Sequence, residues 1–146
     1  MGKRGRHSPL TTTKKGSAGS DWFTPFLALT HTLFNHMSTR SNIRLTYSDG
    51  NKVVFYQHCD GDTLSDTLKA ALKRGKGRWS DSTYLARIIF SEMIQNDVLG
   101  TMGYGIGTHV SEENWFTLDV NLADQTVEWT DQSGKSYCME YDKFID

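Results

Sequence analysis

Two stretches of alternating side chains meet at Asp49-Gly50, and no other feature constrains the fold of this chain as much. Ile43, Leu45 and Tyr47 share one face of an extended segment, with Arg44 and Thr46 on the other, because side chains alternate along a strand. Asp-Gly is a strong hairpin turn signal. The segment Lys52–His58 then reads as the partner strand, with Val53 and Phe55 directed to the core. Tyr56, His58 and Asp60 fall two residues apart, so the same alternation expects them in one polar row.

The spacing changes after the Asp60-Gly61-Asp62 turn. A helix is expected from about Thr63 to Arg74, capped by Asp62 or Thr63, striped by Leu64, Leu68 and Leu72, and stopped by Gly75. A second helix is expected from an N-cap at Ser80 to about Asn96. Its buried stripe would be Tyr84, Leu85, Ile88, Ile89 and Met93. Leu99 to Gly107 reads as a glycine-rich loop. Three strands follow, Trp115–Leu122, Thr126–Thr130 and Tyr137–Tyr141, separated by Ala123-Asp124-Gln125 and Ser133-Gly134-Lys135. The order ββααβββ implies an α+β fold: an antiparallel sheet of about five strands with two helices packed on one face. The other face would carry Arg44, Thr46, Tyr56, His58, Thr117, Asp119 and Glu128.

The 146 residues suit one domain, residues 37–146, preceded by a basic extension over residues 1–36. Residues 1–20 are rich in Gly, Ser, Thr and Lys and cannot bury enough surface to offset their ordering entropy, so a flexible arm is expected there. Asp21 to His36 suits a short amphipathic helix, with Pro25 in its first turn. No apolar run reaches the roughly 18 residues of a membrane span. The basic stretch before Trp22 is too long for a signal peptide, and no small-residue cleavage site follows, so a cytoplasmic protein is expected. Cys59 and Cys138 are too few for a disulfide framework or a zinc ribbon.

The net charge of −1 conceals a sorted distribution. Lys3, Arg4, Arg6, Lys14 and Lys15 lie in the arm, and the acids concentrate after residue 88. Such asymmetry points to charged partners. Lys69, Lys73, Arg74, Lys76 and Arg78 cluster at the end of the first helix, where cations also complement the helix dipole. With Arg40 and Arg44 they form a candidate phosphate or nucleic-acid patch. The acidic C-terminal strands suggest the opposite device, a carboxylate array that imitates a nucleic-acid backbone.

Other chemistries have weaker patterns. Gly100, Gly103, Gly105 and Gly107 lack the Gly-Lys-Ser/Thr of a phosphate loop. His58 and Cys59 are adjacent, so they point to opposite faces and share neither a metal nor a proton. No Gly-x-Ser-x-Gly elbow exists. The expectation is therefore no catalytic residues, no metal and no cofactor. A small hydrolase using His58 and Asp60 stands as an alternative.

Ser38-Thr39-Arg40-Ser41-Asn42-Ile43 and Tyr56-x-His58-x-Asp60-Gly61 resemble a group of small phage and prophage proteins. Those open with Ser-Thr-Arg-Ser-x-Ile and carry Tyr-x-His-x-Asp-Gly-Tyr-Pro. The likeness extends loosely over residues 37–130 and departs at Asp62-Thr63, where the group has Tyr-Pro. The resemblance implies a phage or mobile-element origin, a small α+β fold and a bacterial host cytoplasm, without a definite activity. The function expected is non-enzymatic binding to a host protein or ribonucleoprotein complex, as in inhibition of a defence system such as CRISPR-Cas. The binding residues expected are Arg40, Arg44, Tyr56, His58, Asp60, Lys69, Lys73, Arg74, Lys76 and Arg78. Binding of nucleic acid or a nucleotide through the basic patch is the alternative, and a homo-oligomer fits either reading.

Overall fold

The computed structural model describes residues 39–146. The extension over residues 1–36, with its arm and amphipathic segment, lies outside the described residues.

The fold is α+β. Strand β1 (Ser41–Thr46) turns back through Asp49-Gly50 into β2 (Lys52–Gln57), in the register Ile43 opposite Phe55. Gly50 sits at φ 81°, a conformation that glycine adopts without a Cβ penalty. A 3-10 turn (Gly61–Thr63) leads into α1 (Leu64–Arg74), and a second (Lys76–Arg78) leads towards α2 (Ser82–Met93). Then come β3 (Tyr104–Gly107), β4 (Phe116–Asn121), β5 (Thr126–Thr130), β6 (Ser136–Glu140) and the short helix α3 (Tyr141–Phe144).

The sheet departs from the expectation in two ways. It has six strands, in the order β3-β2-β1-β4-β5-β6, and it is mixed, because β1 pairs parallel with β4. The sixth strand lies inside the segment read as a loop. Two of its four residues are glycine, which masks strand propensity. Its pairing with β2, Gln57 opposite Tyr104, supplies what the local sequence lacks. The parallel pair arises because β4 returns beside β1, completing the central hydrogen bonding of a strand whose Ile43 and Leu45 are fully buried.

Leu64, Leu68 and Leu72 are fully buried, as their spacing requires, and each contributes about 1.5–3 kcal/mol by leaving water. With Leu85, Ile89 and Met93 of α2 they cover Ile43, Leu45, Phe55, Leu118, Val120 and Val127 of the sheet. Tyr84 departs from the expected stripe. It lies exposed, with the Arg78 guanidinium 5.1 Å from its ring centre. The cap of α2 is Asp81 rather than Ser80: its carboxylate accepts from the Tyr84 amide at 3.2 Å. Tyr141, expected to close the last strand, instead opens α3 and is buried against Trp79, ring centres 5.3 Å apart.

The uncovered face of the sheet is not flat. β3 and β4 lie on opposite sides of the β1–β2 hairpin, so residues 108–115 must cross past it. His109 and Ser111 of this crossing line a pocket with Asn42, Val54 and Tyr56.

Candidate functional site

The face away from the helices carries three charged side chains, Arg44, Asp119 and Glu128, side by side on its central strands. The register sets Val54, Arg44, Asp119, Glu128 and Cys138 side by side. Arg44 donates from Nε to Asp119 Oδ1, and Arg40 donates to Glu113 of the crossing segment. The Tyr56 hydroxyl and His58 Nδ1 are hydrogen-bonded at 2.8 Å. The expected polar row ends there, because β2 stops at Gln57 and alternation no longer applies. Asp60 sits at φ 59° and turns the chain towards Gly61. Burial first, then the charges of Asp60, Asp97 and Cys59, hold the Tyr104 phenol above its ordinary pKa.

Beside Tyr56 the pocket of about 290 Å³ is floored by Asn42, which is 1% exposed. Its amide nitrogen has no hydrogen-bond partner among the described residues. A buried donor left unmatched costs about 1–3 kcal/mol, so this position has capacity for an acceptor.

Several of the cations expected to form the basic patch are engaged by acids from the later part of the chain. Arg74 donates to Glu92 and to the Ile88 carbonyl, and Lys76 pairs with Asp142 at 2.7 Å. Four of the ion pairs, at Arg40, Arg44, Arg74 and Lys76, join the basic part of the sequence to its acidic part. The cause is topological: β4 returns beside β1, and α3 returns beside the α1–α2 corner. Lys69 lies 5.7 Å from the Phe144 ring centre, and Lys73 is exposed. Among the described residues Lys69, Lys73 and Arg78 make no ion pair, while Arg74 and Lys76 do.

Exposed pairs of this kind are worth about 0–1 kcal/mol each. Arg44 and Asp119 are each about one-third exposed. A double-mutant cycle on Arg44→Ala and Asp119→Ala, read by urea unfolding, is expected to give a coupling of about 0.5–1 kcal/mol. Additive single-mutant losses would mean that the pair contributes nothing to holding β1 against β4.

Two features escaped sequence reasoning. The first is an apolar surface: Val98, Leu99, Met102 and Ile106 are 64, 94, 82 and 63% exposed. They occupy β3 and the loop before it, where the glycines drew attention away from the apolar residues between them. The second is a pocket between the start of α1 and the β4–β5 pair, lined by Trp115, Phe116 and Trp129. Its sequence signal is the pair of tryptophans, Trp115 at the start of one expected strand and Trp129 inside the next.

Cys138 is exposed, and desolvation together with the charge and hydrogen bond of Glu128 raises its thiol, so the thiolate is disfavoured. Among the described residues no cluster of His, Cys, Asp or Glu has the makings of a metal site, and no helix is long and apolar enough to cross a membrane. Compared with models of known families, with curated proteins and with solved structures, the chain matches none.

Proposed function

We propose that this chain is a non-enzymatic phage-type protein that acts by docking on a host macromolecule, a protein or ribonucleoprotein of a bacterial defence complex such as CRISPR-Cas. The observation that carries the docking reading is the β3 edge. Edge strands are normally guarded by charge, because an open row of amides and carbonyls invites another strand. The opposite edge, β6, is guarded in this way: it ends in Glu140, with Lys135 and Lys143 flanking it. β3 reads Tyr-Gly-Ile-Gly and has no charge; its Ile106 is exposed, as are Val98, Leu99 and Met102 in the loop before it. Contiguous apolar exposure is a common feature of interaction surfaces, which supports this reading. A partner strand added to β3 would gain main-chain hydrogen bonds, with specificity from the flanking side chains. The phage and defence part of the proposal is supported by the motif resemblance.

The test is capture from bacterial lysate by the immobilised chain. Ile106→Lys with Met102→Asp is expected to lower recovery at least about tenfold while changing stability by less than about 0.5 kcal/mol, since both side chains are exposed. Arg87→Ala, on the exposed side of α2, is expected to leave recovery unchanged. Undiminished capture by the Ile106→Lys, Met102→Asp protein would remove the β3 edge as the contact.

A second reading is favoured by the unmatched amide of Asn42. A nucleotide-sized ligand presenting an acceptor to it would lie against Tyr56 and His109. Phosphate binding there would weaken steeply with salt.

A further inference from the structure

We propose that the pocket walled by Trp115, Phe116 and Trp129 and rimmed by Asp62 and Asp131 seats an arginine side chain of a protein partner. It rests on the docking reading only for the source of that arginine. The pocket is distinct from the β3 edge and has a volume of about 320 Å³, near the lower end of ligand pockets. Trp115 is 47% exposed, so its ring is presented rather than packed away.

The charge at the rim is one-signed. Asp62 and Asp131 line the pocket, and no lysine or arginine does. Asp131 is held ionised. The Ser133 hydroxyl and the Lys135 amide, with further bonds from Tyr137 and the Ser133 amide, keep its carboxyl below the ordinary range. Three of these donors converge on Oδ1, at 2.9, 2.6 and 3.0 Å. Oδ2 accepts from the Tyr137 hydroxyl at 3.0 Å and has lone-pair capacity left for a second donor. Arg40, whose carbonyl receives the Trp115 amide, directs its own guanidinium to Glu113.

The aromatic cluster already attracts cations where it can reach them. Trp129 stacks on Tyr137 at 5.1 Å and meets Phe144 edge-on at 5.8 Å. Lys135 lies 4.9 Å from the Tyr137 ring centre and Lys69 lies 5.7 Å from that of Phe144. Among the described residues no cation lies over Trp115 or Trp129. Tryptophan is the strongest cation–π partner, and guanidinium is the cation that both stacks on a flat ring and forks to a carboxylate. Aromatic walls with carboxylates at the rim therefore select arginine over an anionic or neutral side chain.

The test titrates the full ¹⁵N-labelled chain with N-acetyl-arginine amide and, in parallel, with its neutral isostere N-acetyl-citrulline amide. The indole signals of Trp115 and Trp129 are expected to move with a saturable, millimolar isotherm. That of Trp79, whose indole is buried and bonded to the Leu72 carbonyl, is expected to stay still and report an intact fold. Citrulline is expected to bind about tenfold more weakly, and Asp62→Asn to weaken arginine by a factor of about three. Trp115→Leu is expected to abolish the Trp129 shift. Equal affinity for citrulline, or indifference to both substitutions, would overturn the proposal. So would a tenfold gain in affinity when Lys3, Arg4, Arg6, Lys14 and Lys15 are all changed to Gln, because the chain's own cations would then be the occupant. The titration needs no partner protein. Its failure leaves docking at β3 standing, and a failed capture leaves the pocket standing.

Discussion

Replacing Gly61 by alanine is expected to destabilise the fold by about 2–3 kcal/mol, the cost of forcing an atom into a space that cannot yield. A Cβ at this position would lie 2.5 Å from the Thr39 carbonyl oxygen and 2.9 Å from Ser41 Oγ. The first of these is backbone and the second belongs to a fully buried residue of β1. The approach is close for a reason. The Gly61 amide is shared between the Thr39 carbonyl at 3.1 Å and the Thr39 hydroxyl at 2.9 Å. These bonds clasp the turn before α1 onto the residues just ahead of the central strand. An alanine must open that clasp or displace β1. Gly77→Ala is the control: a Cβ there meets nothing within 4 Å, so the change is expected to be neutral or to stabilise by up to about 1 kcal/mol. Urea unfolding of the two variants decides the matter. A Gly61→Ala midpoint equal to that of the parent would show that β1 and the turn are not held together in this way.

The clasp also gives the Asp-Gly of the phage-like motif a packing role. Asp60 supplies the left-handed residue that reverses the chain and Gly61 the absence of a side chain. What the motif positions chemically is smaller, the Tyr56–His58 hydrogen bond. Local pattern was enough for the β1–β2 hairpin, the leucine stripe of α1 and the helix stop at Gly75. Each depends on neighbours a few residues away, and the structure keeps them. It was not enough for the parallel β1–β4 pair, because alternation in Phe116–Asn121 is the same whichever way the neighbouring strand runs. β3 was hidden for a related cause: Gly105 and Gly107 carry no strand signal, and only the free edge of β2 makes them extended. The site suffered most. Counting cations along residues 69–78 exposed a cluster but not the acids that topology brings to it, Glu92 to Arg74 and Asp142 to Lys76. Exposure, which distinguishes Leu99 and Ile106 from the buried Leu118 and Val120, has no local signature in a short apolar run.

Between about pH 10 and pH 12 the chain is expected to lose about 2 kcal/mol of stability through Tyr141 alone, and Tyr141→Phe is expected to abolish that loss. The Tyr141 ring is 1% exposed, and burial raises its phenol far above the usual value near 10. The neutral form is therefore the one that the fold accepts. Below the unfolded pKa of about 10 both states hold the proton and the contribution is complete. Above it the unfolded chain releases the proton while the folded chain retains it, so unfolding gains about 1.4 kcal/mol for each pH unit until the folded group also titrates. Tyr47 and Tyr104, raised chiefly by burial, add slopes of the same sign, but they are present in both proteins and cancel in the comparison. At neutral pH the order is reversed. The phenylalanine variant lacks the hydrogen bond from the Tyr141 hydroxyl to the Asn121 carbonyl, 3.2 Å, and is expected to be about 0.5–1.5 kcal/mol less stable. The stability curves of the two proteins should therefore cross between pH 10 and pH 12. Parallel curves would mean that the phenolate is accommodated in the fold, and that α3 does not close the core in the way its contacts with Trp79 and β4 require.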